Sequence, residues 1–247
     1  MQVLVVEDEL FGRRGTVDTI IDIRSTATVW QAGSLHQAKE QLESHPTTDL
    51  VLLDLNLPDS TGMATLEDLT QWCDDRDLST RMVVLTAYYT PDLVAQALDI
   101  GAIGYIVKGR VTEESFAEAL TETMAGNIWI PSGVAPLLGA SSSKTGPLSQ
   151  EGQYPDCLTE RQKQVCDYLL WGLTYKQIAR FLPPIGSRLE PPNAETVRAH
   201  VNKAAESLGV TSNRKAGLVA ALYVLKVTSR IPRPTTVGSV ERLPVLG

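Results

Sequence analysis

Five side chains that could do chemistry stand at the ends of apolar runs. Glu7 and Asp8 follow residues 2–6, Asp54 follows 50–53, Thr86 follows 82–85 and Lys108 follows 104–107. A carboxylate is both a nucleophile and a hard oxygen ligand. Three of them gathered in one small space repel one another, and a divalent cation such as Mg2+ relieves that repulsion. The metal and the lysine would neutralise phosphoryl oxygens, the threonine would donate to one of them, and a carboxylate would attack in line. Taken singly, each residue has a plainer role. A lone Asp or Thr at a strand end is often a helix N-cap, and a lone Lys is a surface charge. Four successive strand ends carrying this set in this order outweigh capping alone.

That chemistry requires elements that bring the strand ends together. Helix-period segments lie between the apolar runs, at about 10–23, 64–73, 92–100 and 112–125. Ser34-Leu35-His36-Gln37 has the form of a capping box and opens another helix, to about 43. A fifth strand is expected near 26–32. Continuous apolar strands alternating with helices imply a parallel sheet covered on both faces. Ligands of such sheets bind beyond the carboxyl ends of the strands.

After residue 126 the composition changes. Pro, Gly, Ser and Lys dominate residues 131–156, which read as a linker. Helices then follow near 160–171, 175–182, 194–208 and 213–226, the first two opened by the T-x-x-Q boxes at Thr159 and Thr174. The expected organisation is a first domain at 1–126, a linker at 127–156, a helical domain at 157–228 and a disordered tail at 229–247. Residues 1–126 hold 8 basic and 21 acidic side chains, a balance of −13; residues 158–226 hold 10 and 5, a balance of +5. Such a split joins an acidic module to one suited to a polyanion. Cys73, Cys157 and Cys166 form no CxxC pair and read as reduced, mostly packed thiols. The start, MQVLVVEDEL, turns acidic too soon for a signal peptide. No apolar run approaches the ~18 residues of a membrane span. A cytoplasmic protein without membrane contact is expected.

Residues 1–126 resemble the receiver domain of two-component response regulators. The stretches that carry the resemblance are Val5-Val6-Glu7-Asp8-Glu9, Leu52-Leu53-Asp54-Leu55-Asn56-Leu57-Pro58, Leu85-Thr86-Ala87 and Gly104-Tyr105-Ile106-Val107-Lys108. The resemblance implies a flavodoxin-like doubly wound five-stranded parallel sheet, with Asp54 phosphorylated by a histidine kinase or a small phosphodonor. It implies that Asp8 and Asp54 ligate Mg2+ directly, Glu7 through water, and the Asn56 backbone carbonyl as the remaining protein ligand. Thr86 and Lys108 would bind phosphoryl oxygens, and Tyr105 matches an aromatic switch that turns inward as Thr86 moves. Asp54 would store a signal rather than turn over a substrate, so no enzyme is expected.

The helical part resembles the LuxR-type output domain. The matching stretches are Leu158-Thr159-Glu160-Arg161-Gln162-Lys163-Gln164-Val165, Gly172-Leu173-Thr174-Tyr175-Lys176-Gln177-Ile178-Ala179, Glu195-Thr196-Val197-Arg198-Ala199-His200-Val201 and Leu208-Gly209-Val210. Together the two halves resemble the NarL/FixJ group of regulators. This implies a helix-turn-helix whose recognition helix, at about 194–208, lies in the major groove of double-stranded DNA. Val197, Val201, Ala204 and Leu208 share one face and should be core. Arg198 suits guanine, Asn202 suits adenine, and Lys203 projects beside them. Thr196 and Ala199 complete the expected DNA-facing set. Thr174 and Lys176 suit phosphate contacts, as do Arg214 and Lys215. The last helix, 216–225, is apolar enough for the seam of a homodimer formed on phosphorylation.

One segment departs from the family. The tight turn before the recognition helix is replaced by a proline-rich insertion at 183–192, about eight residues beyond the usual count. Prolines prevent simple helix extension, so a loop interrupts the motif. Three roles are open to it: a tolerated surface loop, a reach to a phosphate through Arg188, or a contact with the receiver. An alternative follows: a receiver-controlled protein-binding module whose helices have lost DNA reading. A haloacid-dehalogenase-type phosphatase is a further rival, but its D-x-D motif is broken by Asn56.

Overall fold

The computed structural model describes residues 1–138, 153–184, 192–210 and 214–224. The first unit runs β1 (Gln2–Val6), α1 (Leu10–Ile23), β2 (Thr28–Ala32), α2 (Leu35–Ser44), β3 (Leu50–Leu53), β4 (Asn56–Leu57), β5 (Ser60–Thr61), α3 (Met63–Asp75), β6 (Arg81–Thr86), α4 (Pro91–Ile100), β7 (Ala102–Val107) and α5 (Glu113–Ala125). After α6 (Val134–Leu137) come the helices of the second unit: α7 (Glu160–Leu170), α8 (Tyr175–Phe181), α9 (Ala194–Ser207) and α10 (Arg214–Val224).

Five strands form one parallel sheet in the order β2-β1-β3-β6-β7. This is the flavodoxin-like doubly wound arrangement. Strands β3, β6 and β7 are buried along their whole length, and β1 from Val3 onward. Strands without an exposed face must be covered on both sides by helices. Edge strand β2 is partly exposed, which explains its weaker apolar pattern. The chain winds outward from β1 to β2 and then crosses back to β3. Strand order therefore reverses beside β1, and a crevice opens there at the carboxyl ends.

Local chemistry sets the helix starts. Thr90 caps α4 with Pro91 in the first turn, and reciprocal capping boxes open α5, α7 and α8 at Thr112, Thr159 and Thr174. At α2 the expected box is only half formed. Ser34 accepts from the Gln37 N–H at 3.1 Å, but the Gln37 carboxamide takes the Gly33 N–H at 2.7 Å. The β4–β5 hairpin was not expected. Asp59 in its turn accepts the N–H groups of Leu35 and His36, each at 2.8 Å, and ties the hairpin to α2.

The linker expected at 127–156 is structured at both ends. Trp129 bridges to the open edge of β7, donating to the Ile103 carbonyl at 2.9 Å and accepting from the Tyr105 N–H at 3.1 Å. Ile128, Trp129, Ile130, Val134 and Leu138 are buried. An uncovered edge strand offers unpaired backbone groups, and this apolar segment supplies partners for them. At the far end the Tyr154 hydroxyl donates to buried Asp167 at 2.9 Å. The tail expected at 229–247, and most of the insertion at 183–192, lie outside the described residues.

In the second unit, α9 packs on α7, α8 and α10. Val197, Val201, Ala204 and Leu208 are all buried, as their common face requires. The two units are packed together. Gly126 (φ +91°) ends α5, and a Cβ there would fall 2.0 Å from the Trp171 ring. Gly172 (φ +72°) answers from the other side, where a Cβ would fall 2.3 Å from Ile103.

Candidate functional site

Backbone pairing at the strand ends places the chemistry. The Asp54 N–H donates to the Val6 carbonyl at 2.9 Å, and the Lys108 N–H to the Thr86 carbonyl at 2.8 Å. Consequently Glu7, Asp8 and Asp54 meet, each with a carboxylate oxygen within 4.8 Å of the others. Glu7 and Asp54 are buried, while Asp8 faces solvent. The Lys108 ammonium donates to Asp54 Oδ2 at 2.6 Å and to Glu7 Oε2. Around the rim, the Asn56 N–H donates to Asp54 Oδ1 at 3.2 Å, and Arg13 donates to the Glu7 carbonyl.

Electrostatics follow from this crowding. Burial pushes the Glu7 carboxyl above its ordinary range despite the Lys108 hydrogen bond. Burial also disfavours the Lys108 charge, but its two carboxylate partners outweigh that, and its pKa ends above the usual lysine value. The ammonium is thus firmly held. All the nearby anionic donors are oxygens, two buried and one open to water, a set that suits a hard divalent cation.

Thr86 and Tyr105 both bond the backbone of Tyr88, at its two successive peptides. The Thr86 hydroxyl accepts the Tyr88 N–H at 3.4 Å, and the Tyr105 hydroxyl donates to the Tyr88 carbonyl at 2.8 Å. Tyr105 is fully buried, which pushes its phenol up to about 12. Thr86 and Tyr105 are thus linked through the Tyr88 backbone.

Residues 3–120 match the family described as the response regulator receiver domain. The nitrate/nitrite response regulator protein NarL of Escherichia coli (strain K12) is 29% identical over 216 residues, covering 87% of this chain and 93% of the relative. The DNA-binding transcriptional activator DevR/DosR of Mycobacterium tuberculosis (strain ATCC 25618 / H37Rv) is 28% identical over 226 residues, covering 89% and 94%. The chain is a response regulator of the NarL/FixJ type. Among solved structures, the signal receiver domain of the putative response regulator NarL from Mycobacterium tuberculosis is 26% identical with a TM-score of 0.44, covering 51% of this chain and 97% of that one. Among the described residues of this response regulator, no helix is long and apolar enough to cross a membrane.

Glu7, Asp8, Asp54 and Lys108 converge, whereas Thr86 and Tyr105 meet the Tyr88 backbone, and the output residues are divided. On α9, Arg198, Ala199 and Lys203 are exposed, and Arg198 pairs loosely with Glu195 at 3.8 Å. Thr196 is tied to the Asn193 cap, its N–H donating at 2.9 Å. Arg198 and Asn202 line a cavity of about 490 Å³ with Asp99, Tyr175 and Lys215. Thr174 and Lys176 are both engaged by the receiver, although Lys176 remains exposed. The Thr174 hydroxyl donates to Asp74 at 2.8 Å, and Lys176 pairs with Asp75 at 3.0 Å. Arg180 pairs with Asp77, and the Gln177 carboxamide donates to the Leu78 carbonyl at 3.2 Å.

Sequence reasoning missed this carboxylate row at the end of α3. Its signal was available: Asp74-Asp75-Arg76-Asp77 is an acidic run, and α8 is a short helix with two cations. Lys215, expected at a phosphate, is instead buried against Asp99. The apolar face of α10, expected as a dimer seam, is covered within the chain. Ala216, Leu218, Val219 and Leu222 are buried, and α10 packs against α4, α6 and α9. Arg188 lies outside the described residues.

Proposed function

We propose that this regulator is switched by phosphorylation of Asp54 and binds double-stranded DNA through its helical unit. The observation that carries the reading is the single hollow shared by Glu7, Asp8, Asp54 and Lys108. A histidine kinase or a small phosphodonor would supply the phosphoryl group. Glu7, Asp8, Asp54 and the Asn56 backbone carbonyl would hold Mg2+, which when bound supplies charge neutralisation and alignment of the incoming group. Asp54 is the nucleophile, and Lys108 must release its Oδ2 for attack. The freed ammonium and the Thr86 hydroxyl then hold phosphoryl oxygens. As Thr86 turns toward the phosphoryl group it gives up the Tyr88 N–H, and Tyr105, bound to the Tyr88 carbonyl, carries the change toward α4.

In the output unit, Arg198, Asn202 and Lys203 would enter the major groove, with Thr196 and Ala199 on the same approach. Thr174 and Lys176 would take backbone phosphates. In the docked arrangement Asp74 and Asp75 occupy those two side chains, so receiver and DNA compete for them. Phosphorylation would bias the molecule toward undocking. Undocking would also free the apolar face of α10 for a homodimer. The boundaries we propose are a receiver at 1–126 extended by 127–138, and an output unit that begins at Tyr154. The DNA-binding description of a full-length relative weighs against the protein-binding alternative.

Labelling with radioactive acetyl phosphate tests the first half: the wild-type chain takes up label with Mg2+ and Asp54→Ala does not. Label retained by that variant removes Asp54 as acceptor. For the second half, duplex affinity should rise on phosphorylation and fall steeply with salt. Arg198→Ala should lose roughly 1–3 kcal/mol of specific binding. An unchanged footprint removes its reading role.

A further inference from the structure

Helix α10 begins with a charge where it meets the receiver. Lys215 is almost excluded from solvent where α10 crosses α4. Its ammonium donates to the Asp99 carbonyl at 2.7 Å and lies 5.2 Å from the centre of the Tyr175 ring. The adjacent Ala216 N–H donates to Asp99 Oδ1 at 2.9 Å. Asp99 therefore grips the start of α10 twice, through its backbone and its carboxylate. Among the described residues, the other charges around Lys215 are few. Asp74 acts from α3, Arg198 and Glu195 line the adjoining cavity from α9, and α6 carries no ionisable residue.

We propose that Lys215 is a charge-controlled restraint on docking: its protonated form weakens the packing of the helical unit on the receiver, and loss of the charge tightens it. An ammonium carries three donors and is costly to bury unless acceptors meet them. Here a backbone carbonyl and an aromatic face meet it, while Asp99 spends Oδ1 on the Ala216 amide. Burial holds the Lys215 pKa down at about 8, although Asp99 and Asp74 pull it up. In the undocked molecule it returns toward the ordinary value near 10.4. The docked pKa is the lower one, so docking favours the neutral form and strengthens as pH rises through 8. Asp99 works in the opposite sense. Desolvation at the interface raises its pKa, although its side chain still meets solvent, so its protonation at acid pH strengthens docking. Tyr175, pushed to about 12 by burial, stays protonated throughout. The regulatory meaning rests on the DNA-binding reading; the effect on docking does not.

Ala216 provides the test. It lies in the first turn of α10, where amides have no acceptor within the helix. Its protection from hydrogen exchange therefore reports the contact with Asp99. In the full, unphosphorylated chain, protection corrected for the intrinsic exchange rate should rise about tenfold from pH 7 to pH 9. Lys215→Met should show high protection at pH 7 and no dependence on pH. Lys215→Arg, charged throughout, should stay low and flat. A flat wild-type profile, or loss of Ala216 protection in a folded Lys215→Met chain, overturns the proposal. Should the Met variant unfold, the contrast between wild type and Arg still decides. Duplex affinity of the same proteins separates the two readings. If protection behaves as stated and affinity does not follow, docking control stands and the DNA reading fails.

Discussion

At the scale of single residues, the site is a balance between burial and one cation. Glu7 and Asp54 are both buried and both rest on Lys108. Burial raises the Glu7 pKa, so the folded protein prefers its protonated form. That preference contributes stability below the ordinary carboxylate range, and the contribution is lost as pH rises through the raised folded value. Glu7→Gln should therefore raise Tm at pH 7 in metal-free buffer and leave it unchanged near pH 4. Melting curves with a chelator at both pH values check this. A drop in Tm at pH 7 would mean that the Lys108 bond outweighs the burial cost. The same pocket predicts that Mg2+ raises Tm of the wild-type chain but not of Asp54→Ala, because a ligand that binds only the folded state stabilises it.

At the scale of elements, capping and close approach carry separable energies. Thr159 caps α7 within a reciprocal box. Thr159→Ala should cost about 1 kcal/mol, and Thr159→Ser should restore most of it, as read by denaturant unfolding. Gly126 combines two demands, a left-handed conformation and contact with Trp171. Gly126→Ala should cost about 1 kcal/mol for the backbone alone and more for the clash. A Trp171→Ala partner should remove the second part and keep the first. Additive losses in that pair would show that the two residues do not touch in solution. These elements were largely legible in the sequence because burial periodicity and caps act within a few residues. The β4–β5 hairpin was not, since two-residue strands have no period to read. Nor was the pairing of Trp129 with β7, because an edge strand does not announce which later segment will cover it.

At the scale of the whole molecule, the charge asymmetry of the chain is partly consumed within it. The acidic end of α3 faces the cations of α8, Lys176 on Asp75 and Arg180 on Asp77. Exposed pairs of this kind contribute little to stability and weaken with salt. Asp75→Asn with Asp77→Asn should therefore raise the duplex affinity of the unphosphorylated chain roughly fivefold at low salt, a gap that narrows as salt rises. Asp18→Asn with Asp22→Asn on α1 changes net charge equally and should have little effect. Mobility shifts over a salt series compare the two pairs. Equal gains would assign the effect to net charge and remove competition at α8.

The sequence by itself determined the sheet, its buried strands, the polar residues at their ends and the inward face of α9. Each of these follows from a short-range pattern: a continuous apolar run, a cap, or a three-to-four-residue spacing that repeats along one helix. Only the tertiary structure decided what Thr174, Lys176, Lys215 and the apolar side of α10 touch. Their partners stand about a hundred residues away on the receiver. A solvated cation and one pinned to a distant carboxylate look identical in sequence. The difference lies in which two surfaces meet, and that is set by close packing at Gly126 and Gly172 rather than by any local propensity.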